Sequence, residues 1–235
     1  MNKVWKVVTT VWLFISVLFT GLELFRCGTY AVGKAVGGYY SGYMWLGIGM
    51  MAFFLVSYLL LRKNLGILQT MSHEGAHMIV SGLFLRKEIY EFKAVDAKMM
   101  GQDKVLGSVT SNMSSHNMFS SLAPYMFPYI VFLLLFFRLM IKDNCLPIID
   151  FVIGIILMFY ISCWRRDTGR WQSDIIRCGV FRSYLFIIAA LMFNFSIIIY
   201  SLSLDTNGTI NIIKANVLYF TQSWDDILWL ISLLK

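Results

Sequence analysis

Two of the three histidines in this 235-residue chain fall within one pentapeptide, His73-Glu74-Gly75-Ala76-His77. On a helix, residues four apart share a face, so His73 and His77 present two imidazoles to one point and Glu74 stands beside them. The chemistry that needs these residue types at this spacing is metal-assisted hydrolysis. Neutral imidazoles hold a zinc ion while leaving a position open for water, whose pKa the ion lowers to about 7. A neighbouring carboxylate can then take the proton and later deliver it to a leaving amine. The competing reading is a polar cluster that stabilises helix packing.

The element that carries this cluster is apolar, and so is most of the chain. Hydrophobic residues make up 58% and charged residues 14%, with mean hydropathy +0.69. A soluble domain runs near 45–50% apolar and about 25% charged. These proportions exclude a soluble enzyme, a disordered tail and a nucleic-acid-binding module. They fit an all-α polytopic membrane protein, and the formal charge of +7 then belongs to loops that set orientation and meet anionic lipid. An ionised Glu near the centre of a membrane helix costs about 2.5–3.5 kcal/mol on insertion scales. No basic residue nearby on the same helix offers Glu74 a partner, so function explains that cost more readily than packing does.

Hydropathy predicts six spans, at residues 5–25, 43–61, 66–85, 117–141, 147–164 and 172–201. The third holds the His/Glu cluster, and the fourth contains Pro124 and Pro128, which should kink it or make its first part re-entrant. That kinked span is the candidate lateral gate. The first span follows Lys3 and Lys6 but lacks a small-residue cleavage site, so it reads as an uncleaved transmembrane helix. The glycine-rich connection 27–42 argues against a helix there. Partial alternation from Glu88 to Val95, a turn-like Met100-Gly101-Gln102-Asp103 and the run Val105–Thr110 suggest a small β-hairpin between helices, whose edge could pair with an extended peptide. The chain reads as one membrane domain, 1–235, with accessory helices in 1–65, a core in 66–201 and an amphipathic interfacial tail in 202–235. The positive-inside rule favours an external N-terminus.

The remaining polar residues have blander readings. His116 caps the fourth span with Ser114, Ser115 and Asn117 or reaches the site, and Asn112 and Asn117 are either caps or substrate contacts. Cys27, Cys145, Cys163 and Cys178 are scattered without a CxxC pair, so no disulfide framework is expected. Trp5, Trp12, Trp164, Trp171 and Trp224 at span ends fit an interfacial belt. The Asn207-Gly208-Thr209 sequon reads as a chance match.

Within its apolar helix, Met71-Ser72-His73-Glu74-Gly75-Ala76-His77-Met78 resembles the motif of site-2-protease-type intramembrane zinc metalloproteases. Two further stretches resemble a compact bacterial branch of that group: Leu122-Ala123-Pro124-Tyr125-Met126-Phe127-Pro128, and Gln172-Ser173-Asp174-Ile175 followed by Gly179 and Asn194. The resemblance spans about residues 66–195. It implies three core helices around a buried zinc and peptide-bond hydrolysis within or beside the bacterial cytoplasmic membrane. The substrate would be a membrane protein or a membrane-bound peptide.

Under that resemblance the third zinc ligand is an Asp from a later helix, usually in an Asn-Pro stretch ending Asp-Gly. Two positions compete. Asp174 matches the Gln-x-Asp pattern of the compact branch, although counting spans puts it at the opposite membrane face. Asp150 follows Asn144 and Pro147 but lacks the Gly, and its place at the start of the fifth span could bring it to the depth of His73. Asp167 and Cys178 are further candidates. The expected set is His73, His77 and Asp174 on Zn2+ with Glu74 as acid/base. The compact branch tends to carry a His near the end of the fifth span, where this chain has Ser162 and Cys163. A non-catalytic scaffold that keeps the zinc site, or a small transporter, would use intramembrane charges too.

Overall fold

The computed structural model describes residues 3–36, 42–60, 65–84, 89–96, 105–111, 118–169 and 172–203. Nine α-helices are found among them: α1 (Lys3–Val36), α2 (Gly42–Leu59), α3 (Leu65–Ile79), α4 (Met118–Ser121), α5 (Ala123–Met126), α6 (Tyr129–Arg138), α7 (Leu146–Asp167), α8 (Ser173–Cys178) and α9 (Val180–Ser203). A π turn, Val80–Phe84, extends α3, and a 3-10 turn, Asp143–Cys145, leads into α7. Strands β1 (Ile89–Asp96) and β2 (Val105–Ser111) pair antiparallel, with Phe92 opposite Val109 and Ala94 opposite Gly107, and both pack against α3. The expected turn at 100–103 lies outside the described residues, as do His116, Asn112, Asn117, Trp171, Trp224, the sequon and the tail beyond 203.

Among the described residues, four segments are long and apolar enough to cross a membrane: Val4–Gly33, Gly42–Leu59, Asp143–Asp167 and Val180–Leu202. Two of the six expected spans are not among them. The third is α3 and its π turn, where Gln69, Thr70, Ser72, His73, Glu74 and His77 dilute the apolar surface. The fourth is divided into α4, α5 and α6, with breaks at Leu122 and at Phe127–Pro128. The start of the expected sixth is likewise cut off at Gly179 as the short α8. A different correction applies at 27–42, where α1 stays helical to Val36. Glycine weakens a helix by about 1 kcal/mol, but burial of Cys27 and Ala31 and stacking of Tyr30 on Tyr200 hold this stretch along α9.

Outward-facing residues on α1 and α2 include Trp5, Trp12, Phe14, Phe25, Met51, Phe54 and Leu55, all more than half exposed. An apolar exterior of that extent suits hydrocarbon rather than water. Trp164 departs from the belt reading, because it packs inward with Leu122, Tyr125 and Ile187. The four cysteines are free thiols.

Close packing fixes the long helices. A Cβ on Gly49 would collide with the Phe151 carbonyl, and one on Gly154 with the Leu46 carbonyl. The two glycines therefore let α2 and α7 approach through their backbones, as small residues do at membrane helix crossings. Beside that contact, Val131 and Leu135 of α6, Ile153 and Leu157 of α7, and Ile198 and Leu202 of α9 form one core cluster. The short α5 is the wedge that shapes the rest. Ala123 packs on Ala76 of α3 and Val80 of its π turn, while Tyr125 and the preceding Leu122 pack on Ile175 of α8 and Ile187 of α9. The Asn194 side-chain amide donates to the Met126 carbonyl, which the break at Pro128 leaves without its helical partner.

Candidate metal centre

His73, Glu74 and His77 lie in the last two turns of α3. One helical turn separates the two imidazoles, whose ring centroids are 5.1 Å apart. Each ring is anchored through Nδ1. That of His73 donates to Asp167 Oδ2 at 3.1 Å, and that of His77 donates to the Ser120 carbonyl at 2.8 Å. With Nδ1 occupied, Nε2 is the nitrogen each ring has left for another partner.

Asp174 meets those rings, its Oδ2 lying 3.6 Å from His77 Nε2. One ligand atom from each of His73, His77 and Asp174 falls within 4.8 Å of the others, and all three residues are partly buried. Among the described residues no other His, Cys, Asp or Glu set is gathered this tightly. The local sequence explains how Asp174 arrives there. Gly179 ends α8 with φ +88°, a conformation open to glycine at little cost. The carbonyls freed at that break are capped: Ser183 Oγ lies 3.1 Å from the Ile175 carbonyl, and the Arg182 guanidinium donates to Cys178 at 2.6 Å. The chain thus turns between α7 and α9, and the first turn of α8 carries Asp174 back to α3.

Glu74 is 9% exposed and feels the charges of His73, His77, Asp174 and Asp167. It stands outside the three-residue ligand group. Asp167 is held in turn by the Arg166 guanidinium, with Nε to Oδ1 at 2.5 Å and Nη2 to Oδ2 at 2.9 Å. Arg166 Nη1 is fixed by the Gly66 carbonyl and Gln69 Oε1, each at 3.1 Å. Gln69 Nε2 donates to Ser162 Oγ at 3.2 Å. Ser162, at the position where the resembled branch tends to carry a histidine, therefore supports the ring of His73 at three removes.

The competing ligand candidates are engaged elsewhere. Asp150 receives Arg138 Nε at 2.7 Å, and 17 residues of helix put it about 25 Å along α7 from Asp167. It is the far end of α7, not its start, that reaches the depth of His73. Cys178 sits beside Ser121. The sequence offers Asp167 only as a further ligand candidate; its contact with His73, which spans 94 positions, makes it the support of that ring instead. Reading the sequence also assigned nothing to Tyr125, whose ring stands edge-on to His73 at 5.4 Å and 85°. A tyrosine in an apolar stretch between two prolines was the available signal.

Comparison with protein-family models, with curated proteins and with solved structures finds no match. The resemblance to site-2 proteases rests on the quoted motifs alone.

Proposed function

We propose that this chain is an intramembrane zinc metalloprotease that hydrolyses peptide bonds of membrane-anchored proteins or membrane-bound peptides. The observation that carries the reading is the anchoring of both histidines by Nδ1, with His77 Nε2 3.6 Å from Asp174 Oδ2 and one ligand atom of each of the three residues within 4.8 Å of the others. Metal-ligating histidines are oriented in this way by a carboxylate or a carbonyl. The donor set also fits: two imidazoles and one carboxylate suit a borderline-soft dication that keeps a fourth position open. Glu74, Asp167 and Asp174 bring three carboxylates to a site where Arg166 is hydrogen-bonded to Asp167 and the charge of Arg177 reaches Asp174, and the acid still in excess favours a dication.

When bound, zinc supplies Lewis-acid polarisation of the scissile carbonyl and acidifies a water. The protein's own residues do the rest. Glu74 accepts the proton of the attacking water and hands it to the departing amine. The apolar walls of α3, α5, α8 and α9 exclude bulk water, which strengthens each electrostatic interaction at the centre. We further read α3 with its π turn, and the broken α4–α6 segment, as lying within the bilayer beside the four long helices, which gives six passes in a bacterial cytoplasmic membrane. The β1–β2 pair on α3 is then a hairpin beside the entrance.

The test compares the native chain with Glu74→Gln, both purified in detergent, for zinc content and for cleavage of a co-expressed single-span membrane substrate. Zinc should stay stoichiometric in both, while the cleavage rate of the variant falls at least about a hundredfold. Equal product from the two would show a scaffold that keeps its metal, and a native chain without zinc would overturn the reading entirely. Asp174→Ala should lose the metal, and retention there would remove Asp174 from the ligand set.

A further inference from the structure

Tyr125 is wholly buried, and its hydroxyl meets the Asp174 carboxylate without closing a well-formed hydrogen bond. A buried O–H donor held that loosely is poorly satisfied, and it can turn to a stronger acceptor that arrives with the reaction. The surroundings say where that partner would sit. The ring is clamped between Leu122, Ile175 and Ile187 and lies edge-on to His73. The hydroxyl stands beside the Asp174 carboxylate and within range of the charges on Asp167 and Glu74. Pro124 precedes Tyr125 at the start of the four-residue α5, so backbone and ring are both fixed before anything binds.

We propose that Tyr125 is the electrophilic residue of this site, donating its O–H to the scissile carbonyl oxygen as that oxygen becomes an oxyanion. The inference rests on the protease reading above. In the step concerned, a water oxygen forms a bond to the carbonyl carbon and the C=O π pair moves onto the carbonyl oxygen. Glu74 takes the water proton. The new oxyanion accepts the Tyr125 hydrogen bond without taking the proton. When the C–N bond breaks, its electron pair goes to nitrogen together with the proton held by Glu74. The oxyanion lone pair re-forms C=O, and the tyrosine is left unchanged. A rigid donor aimed at charge that appears only in the transition state needs no reorganisation when that charge develops.

Tyr125→Phe keeps the ring and deletes only the donor. In the full chain purified in detergent, zinc should remain stoichiometric and kcat should fall about 10²–10³-fold with KM little changed. A phosphinic peptide, which mimics the tetrahedral oxygens, should bind the variant weaker by a similar factor. Binding of the uncleaved peptide, measured on a Glu74→Gln background, should stay the same. Loss of zinc from Tyr125→Phe would overturn the proposal, because the hydroxyl would then be holding Asp174. Native kcat and native phosphinic-peptide affinity in the variant would also overturn it, leaving Tyr125 a packing residue. A native chain that binds zinc yet cleaves nothing would overturn the protease reading and this inference with it. The first two failures leave native cleavage intact, which separates them from the third.

Discussion

Helix α7 carries an aspartate near each end, and the two are treated in opposite ways. Near its start, Asp150 is fully buried and meets one cation, Arg138, whose guanidinium also donates to the Ser201 carbonyl at 3.1 Å. The carboxylate also stands against the first turn of α2, where a Cβ on Gly42 would meet its Oδ2 at 2.7 Å. Among the described residues charge there balances one to one, and the groups tie α2, α6, α7 and α9 together. At the other end, Asp167 is shared between Arg166 and His73 and stands with two further carboxylates around Glu74 and the histidines. A closed pair is a structural device. A set with surplus acid and spare nitrogens is arranged around something it does not itself contain.

Breaking the closed pair should give the largest effect. Removing one partner of a buried ion pair leaves an uncompensated charge and costs about 3–5 kcal/mol. Arg138→Met should therefore lower the thermal unfolding midpoint of the detergent-solubilised protein sharply, with zinc still bound in the fraction that remains folded. Adding Asp150→Leu should recover most of the loss, since replacing both charges by apolar groups is often neutral or better. A double variant no more stable than the single one would mean that the pair does more than satisfy itself.

At the other end of α7 the signature should reverse. Asp167→Asn keeps the volume but weakens the acceptor that orients His73, and losing such a support typically costs 10–100-fold in metal affinity. A chelator competition should show zinc bound about 10–100-fold more weakly, with little change in the midpoint of the metal-stripped protein. If the midpoint falls while zinc affinity holds, Asp167 belongs with Asp150 as a structural acid, and the contrast between the two ends collapses.

What the sequence made legible follows the range of each interaction. His73, Glu74 and His77 are set by one helical turn, so their shared face could be read from spacing. Asp174 was reachable only through motif resemblance, because counting spans treated 172–201 as one helix and put Asp174 at the wrong face. The break that returns it depends on Gly179 and on caps from Arg182 and Ser183, which hydropathy does not register. In the fourth span, by contrast, Pro124 and Pro128 do announce the break that the structure shows between α4, α5 and α6. Conversely, glycines suggested a loop at 27–42, where packing of Cys27, Ala31 and Tyr30 on α9 outweighs their cost. Local chemistry was visible, and contacts that cross about a hundred residues were not.

A third buried acid tests whether the contrast covers every such group. Glu23 lies midway along α1, is fully buried, and neither of its oxygens closes a hydrogen bond among the described residues. Its neighbour one turn on, Cys27, is also fully buried and meets Ser196 of α9, so the carboxyl belongs to the α1–α9 seam. Unlike Asp150 it closes no ion pair there, and unlike Asp167 it holds none of the gathered ligand residues. An unsatisfied buried polar group is a cost, and an apolar group of similar size removes it. Glu23→Leu should therefore raise stability by about 1 kcal/mol, read as a small upward shift of the unfolding midpoint, with zinc content and cleavage unchanged. Glu23→Gln should give no such gain, since the amide is still buried and must still find partners. A lower midpoint in Glu23→Leu would show that the carboxyl has a structural partner after all. An unchanged midpoint with lost cleavage would make Glu23 a functional acid, and two classes of buried acid would no longer describe this protein.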